Sequence, residues 1–105
     1  MKLVGIDWDE AKNNLNIHDH KLSFEVAQYV FADEERLERF DRSKSNTSGE
    51  ERWQTIGKVG SVFFVVYTER GNDKRIITAR KANKAERRIY NGYYQINGSG
   101  WSKTT

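Results

Sequence analysis

Only two imidazoles occur in the chain, His18 and His20, both near the N-terminus. Imidazole is the side chain whose ordinary pKa lies close to neutrality, so these are the candidates for moving a proton. The candidates for holding an anion stand elsewhere: Arg52, Arg70, Arg75, Arg80, Lys81, Arg87 and Arg88. A guanidinium stays charged, and its planar fork matches two oxygens of a phosphate. Residues 1–51 hold 7 Lys/Arg and 12 Asp/Glu, net −5, whereas residues 52–105 hold 11 and 3, net +8. A basic half of this kind attracts phosphates or an acidic protein partner, or is a solvated charged surface. Glu50 and Glu51 adjoin Arg52 and are read either as a base or as an ion pair with a neighbouring strand. Tyr90 has two readings, a stacking or phosphate contact and a helix-packing ring. Trp8 and Trp53 are read as core.

The composition bounds what these residues can be part of. A chain of 105 residues with 36% hydrophobic residues and mean hydropathy −0.88 makes one domain with a modest core. There is no cysteine, which excludes disulfides and thiolate metal sites. No His, Asp and Glu share a recognised ligand spacing, so neither metal nor other cofactor is expected. No glycine-rich loop precedes a helix, and no serine-nucleophile motif occurs. The longest apolar run, Val62 to Tyr67, is far too short for a membrane span. The N-terminus meets an acid at Asp7, too early for a secretion signal, so a cytoplasmic protein is expected.

The elements that must position these groups follow from periodicity and capping. Leu3 to Trp8 alternates as a short strand. Asp9 caps a helix from Glu10 to about His18, with Ala11, Leu15 and His18 on its packing stripe and His20 in the loop beyond. Ser23 caps an amphipathic helix from Phe24 to Phe31. Glu34 to Asp41 reads as a weak, exposed strand, and the polar stretch Arg42 to Gly49 as a mobile loop. Arg52–Lys58, Ser61–Glu69 and Lys74–Lys81 form an antiparallel meander, turning at Gly57/Gly60 and at Gly71-Asn72-Asp73. The middle strand is apolar on both faces and hence central. Asn83 and Glu86 have capping-box spacing for a third helix, with Ala85, Ile89 and Tyr93 along one side and Gly92 as a stop. Residues 1–94 then form the domain and 95–105 a flexible polar tail. The predicted fold is α+β, an antiparallel sheet carrying two N-terminal helices and a C-terminal helix on one face. Arg80 ends a strand just before that helix, sharing a face with Thr78 and Ile76 rather than with Ile77 and Ala79. Arg52 opens its strand on the face opposite Trp53.

Three blocks of residues carry a resemblance. Trp8-Asp9-Glu10-Ala11-Lys12 with Asn16, His20 and Ser23-Phe24-Glu25 forms the first. Gly49-Glu50-Glu51-Arg52 to Ile56-Gly57 forms the second. Val66-Tyr67-Thr68-Glu69-Arg70-Gly71, with Arg75 to Ala82 and Glu86-Arg87-Arg88-Ile89-Tyr90, forms the third. In this order and spacing the chain resembles the BrnT family of bacterial toxins, from about residue 6 to residue 91. The resemblance implies a RelE-like fold, metal-independent RNA cleavage that stops translation, and a BrnA-type antitoxin. Such antitoxins carry a DNA-binding segment, so contact with DNA would be indirect, through the complex. Where family members usually have Gly after the histidine, this chain has Lys21, and it also continues past the third helix.

Cleavage without a metal uses the 2′-OH of RNA as nucleophile. It needs a base for that hydroxyl, cations for the phosphorane and an acid for the departing 5′ oxygen. His20, Glu51, Arg52 and Arg80 are the candidates for these tasks, and His20 has the alternative of bridging two helices. Arg70, Arg75, Lys81, Arg87, Arg88 and Tyr90 are the candidates for holding RNA. His18 is expected to pack on its own helix. The competing function is a non-catalytic module whose basic face holds an acidic protein or RNA without cutting it.

Overall fold

The computed structural model describes residues 1–42, 50–92 and 100–104. In chain order these form β1 (Ile6–Trp8), α1 (Glu10–His20), α2 (Phe24–Ala27), a 3-10 turn (Gln28–Ala32), β2 (Leu37–Phe40), β3 (Arg52–Val59), β4 (Ser61–Arg70), β5 (Asp73–Lys81), α3 (Lys84–Tyr90) and β6 (Ser102–Lys103). The strands make one sheet in the order β1-β5-β4-β3-β2-β6. The expected β3-β4-β5 meander is present, with Gly60 (φ +72°) and Gly71 (φ +59°) in the turns. Both glycines take the left-handed conformation that tight hairpin turns require. The sheet is nevertheless mixed, because β1 runs parallel to β5. Two helices and the meander separate β1 from β5, so β5 returns in the direction of β1, as crossover connections allow.

The helices lie on both faces of the sheet, not on one. Phe63 and Val65 of β4 pack with Trp8, Phe24, Ala27 and Val30 beneath α1 and α2. Phe64 and Val66 face the other way and pack with Leu37, Ile56, Trp101 and, from α3, Ile89 and Tyr90. A strand that is apolar on both faces has to be covered twice.

Several boundaries differ from expectation for local reasons. α1 extends to His20 and is closed by Lys21 in the left-handed region (φ 56°), whose amide donates to Ile17 O. The second helix tightens into the 3-10 turn after Ala27, bringing Val30 down onto β3. Gly57 permits that approach: a methyl there would stand 2.8 Å from Val30 Cβ, so this glycine serves packing while Gly60 makes the turn. β2 is short, but Leu37 is buried. Where a flexible tail was expected over 95–105, residues 100–104 dock, with Trp101 buried against Phe64 and Ser102–Lys103 paired to β2. Burial of an indole edge-to-face on Phe64 stabilises that docking. The loop expected over 42–49 lies outside the described residues except for Arg42, as do Tyr93 and residues 95–99 of the tail.

Candidate active site

α1 presents its polar side to the protein. The stripe expected to pack, Ala11, Leu15 and His18, is exposed, and the buried residues are Asn13 and Asn16. The cause lies at the sheet edge, where β1 ends opposite Ile76 and leaves Ala79 without a strand partner on that side. Asn16 supplies one. Its Oδ1 accepts from Ala79 N at 3.1 Å and its Nδ2 donates to Ala79 O at 2.8 Å, so the side-chain amide replaces the missing strand. Nδ2 also donates to Leu22 O, and Thr78 Oγ1 donates to Asn16 Oδ1. Asn13 does the same for the next helix, accepting from Phe24 N and donating to Glu25 and Glu10. Glu10 also accepts from the Trp8 indole, and these two donors hold its carboxyl below the usual range.

Between α1 and β5 lies a cleft of about 220 Å³, lined by Lys12, Leu15, Asn16, Asp19, His20, Ile77 and Thr78. The α1 residues in it recur at helical spacing, so one stripe of the helix forms one wall. His20 is exposed at the last turn of α1, and neither it nor Lys12 has a hydrogen-bond partner among the described residues. His18 points into solvent, its Nδ1 3.1 Å from Asp19 Oδ1, instead of packing on α1.

Arg80 lies two residues beyond Thr78 on β5. Val66 pairs with Thr78 but Tyr67 with Ile76, so a bulge leaves Ile77 unpaired. The bulge reverses the alternation expected from a regular strand. Arg80 therefore shares the α3 face with Ile77, while Ile76 faces the N-terminal helices. The Arg80 guanidinium sits 4.1 Å from the Phe64 ring and makes a two-pronged pair with Glu86, at 2.8 and 2.9 Å. Glu86 also closes the capping box of α3 with Asn83. Ile77 belongs to both the cleft and the core beneath α3, so His20 and Arg80 flank one stretch of β5.

The other expected cations are spread out. Arg52 and Arg80 pair with Thr68 and Phe64 across opposite edges of β4. Four residues and two strand spacings place their Cα atoms roughly 16 Å apart. They can hold different phosphates of one strand but not a single phosphate together. Arg75 stands in the same sheet row as Arg52 and pairs with Asp7. The hydrogen bond from Lys2 is the main influence holding the Asp7 carboxyl below its usual range, with Arg75 adding to it. Arg70 pairs with Glu50 at 3.0 Å, which is the ion-pair reading of that residue. Glu51 is exposed, and its carbonyl accepts from Thr68 Oγ1. Lys81, Arg87 and Arg88 are exposed, Arg87 donating to Ala82 O. Ala85 is exposed too, and α3 instead turns Glu86, Ile89 and Tyr90 inward. Tyr90 donates its hydroxyl to Asp33 at 2.6 Å, which ties α3 to the end of the 3-10 turn. Burial and the Asp33 carboxylate push that hydroxyl well above the ordinary tyrosine range.

Residues 8–86 match the family model described as "Ribonuclease toxin, BrnT, of type II toxin-antitoxin system". The chain belongs to the BrnT family. The structure is also similar to the crystal structure of the Brucella abortus ribonuclease toxin BrnT, with TM-score 0.54 and 23% identity, over 75% of this chain and 96% of that one. No curated protein matches the chain. Membership in the BrnT family implies an RNA substrate and a protein antitoxin. The matched segment contains His20, Glu51, Arg52, Arg70, Arg75, Arg80 and Lys81, whereas Arg87, Arg88, Tyr90 and β6 lie beyond it. Among the described residues no helix is long and apolar enough to cross a membrane. A helix ending near His18 leaves Asp19 and His20 off its stripe; because α1 runs on to His20, Lys12, Asn16, Asp19 and His20 share one wall of the cleft.

Proposed function

We propose that this BrnT-family chain is a RelE-like endoribonuclease toxin that cuts RNA without a metal ion and thereby stops translation. The observation that carries the reading is His20, without a hydrogen-bond partner among the described residues, in the wall of the cleft beside the β5 segment that bears Arg80. His20 moves the proton of the 2′-OH, which attacks the adjacent phosphorus as the bond to the 5′ oxygen breaks. The products are a 2′,3′-cyclic phosphate and a 5′-OH end. Arg80, held over Phe64 by its pair with Glu86, stabilises the phosphorane charge. Arg52 takes a neighbouring phosphate with Glu51 beside it, and the departing 5′ oxygen takes up the proton that His20 received from the 2′-OH. Arg70, Arg75, Lys81, Arg87 and Arg88 hold the flanking backbone, and their contribution weakens with salt. A BrnA-type antitoxin neutralises the toxin by covering this basic face, and the antitoxin's DNA-binding segment carries the pair to its operator.

Inducing the intact chain in a bacterium that lacks an antitoxin tests this. Growth is expected to stop with loss of RNA, and His20→Ala and Arg80→Ala are each expected to relieve the arrest. Normal growth with soluble, folded chain would overturn the proposal.

A further inference from the structure

The cleft between α1 and β5 is lined by more chemistry than proton transfer needs. Its floor is fixed, because both polar atoms of Asn16 are committed to Ala79, Leu22 and Thr78. Thr78 spends its hydroxyl proton on Asn16, so toward the cleft it offers only lone pairs. Leu15, 60% exposed, and the half-buried Ile77 supply apolar surface. Lys12 and Asp19 stand two helical turns apart on one stripe, about 10 Å along the axis. One is a donor without a partner among the described residues, and the other is a half-exposed carboxylate with one oxygen on His18. At about 220 Å³ the cleft is smaller than a site for a whole drug-sized ligand and suits one ring system.

The geometry points to this cleft as a pocket for one unstacked guanine of single-stranded RNA, its Watson–Crick edge read by Asp19 and Lys12 beside His20. Guanine alone among the four bases places two adjacent N–H donors, N1 and N2, next to a carbonyl acceptor, O6. A carboxylate accepts from the first two while an ammonium donates to the third. Cytosine offers the carboxylate one amino group, uracil one imide N–H, and adenine has no carbonyl for Lys12. Recognition of splayed-out bases by edge contacts and apolar stacking is the general mode for single-stranded RNA. His20 ends the same stripe, so a guanine held here carries its own ribose to the imidazole. The inference rests on the ribonuclease reading for its substrate but not for its test.

The four nucleoside 3′-monophosphates are titrated into the intact chain, and backbone amide resonances are followed by NMR. The guanosine nucleotide is expected to shift Ile77, Thr78 and Ala79 and to bind on the order of 10-fold more tightly than the other three. Asp19→Asn is expected to abolish that preference, so that the guanosine nucleotide binds no more tightly than the other three. Equal binding of all four, no shift at those amides, or an unchanged preference in Asp19→Asn would overturn the pocket. Mapping cut ends in a mixed-sequence RNA separates the two readings. Cleavage without guanine preference defeats the pocket and spares the ribonuclease. Selective guanosine binding with no cleavage defeats the ribonuclease and spares the pocket.

Discussion

Replacing Asn16 by alanine removes four hydrogen bonds from a side chain that is only 5% exposed. Three of the groups left behind are backbone atoms, Ala79 N, Ala79 O and Leu22 O. A buried backbone group without a partner costs about 1–3 kcal/mol. The cleft adjoins Asn16 and admits water to part of the gap, so the costs do not simply add. A loss of about 3–4 kcal/mol is expected, a large share of the roughly 5–15 kcal/mol that holds a domain of this kind folded. Urea denaturation followed by circular dichroism measures it, and hydrogen exchange at the Ala79 amide localises it. Asn16→Asp is expected to be as damaging near neutrality, because a carboxylate then faces two carbonyls. Destabilisation of under about 1 kcal/mol in Asn16→Ala, with Ala79 protection unchanged, would refute the view that this amide stands in for a strand.

Lys21→Gly is expected to raise stability by about 0.5–1 kcal/mol, since the left-handed conformation there (φ 56°) is strained for any residue with a Cβ; a thermal melt decides it. Asp33 gives a pH dependence. Burial pushes its carboxyl up, but the Tyr90 hydroxyl and the amides of Glu35 and Lys58 outweigh that and hold it below its usual range. A carboxyl depressed in the folded state contributes stability above its unfolded pKa, near 3.9, and loses it as pH falls through the folded value. Thermal melts between about pH 4 and pH 2 are therefore expected to fall more steeply for the native chain than for Asp33→Asn. A cognate antitoxin, co-expressed, is expected to protect residues within 52–90 from hydrogen exchange and to displace RNA; protection confined to residues 1–40 with RNA binding unchanged would place the antitoxin elsewhere.

The meander and the three helix caps were legible because each rests on local chemistry. Gly60 and Gly71 turn the hairpins, and Asp9, Ser23 and Asn83 accept amide hydrogens at helix starts. What was not legible depends on contacts distant in sequence. Asn13 and Asn16 look like surface residues until Ala79 and Phe24 arrive to be paired. The bulge at Ile77 inverts the face of everything upstream in β5, and no residue type there announces it. Trp101 sits in a stretch of Gly, Ser and Asn that reads as frayed, yet the face of β4 left bare by the N-terminal helices gives it a place to bury. The arginines were visible as candidates, but their partners, Asp7, Glu50 and Glu86, were fixed only by the fold.

The most direct test of the central claim is cleavage of a defined single-stranded RNA by the purified chain in excess EDTA, with the chemistry of the new ends determined. Product carrying 2′,3′-cyclic phosphate and 5′-OH ends is expected from the native chain. Arg80→Ala is expected to slow the reaction on the order of 10²–10³-fold. Glu86→Gln, which loosens Arg80 without removing its charge, is expected to slow it far less. No cleavage in EDTA that returns on adding magnesium, or full activity in both His20→Ala and Arg80→Ala, would contradict the account.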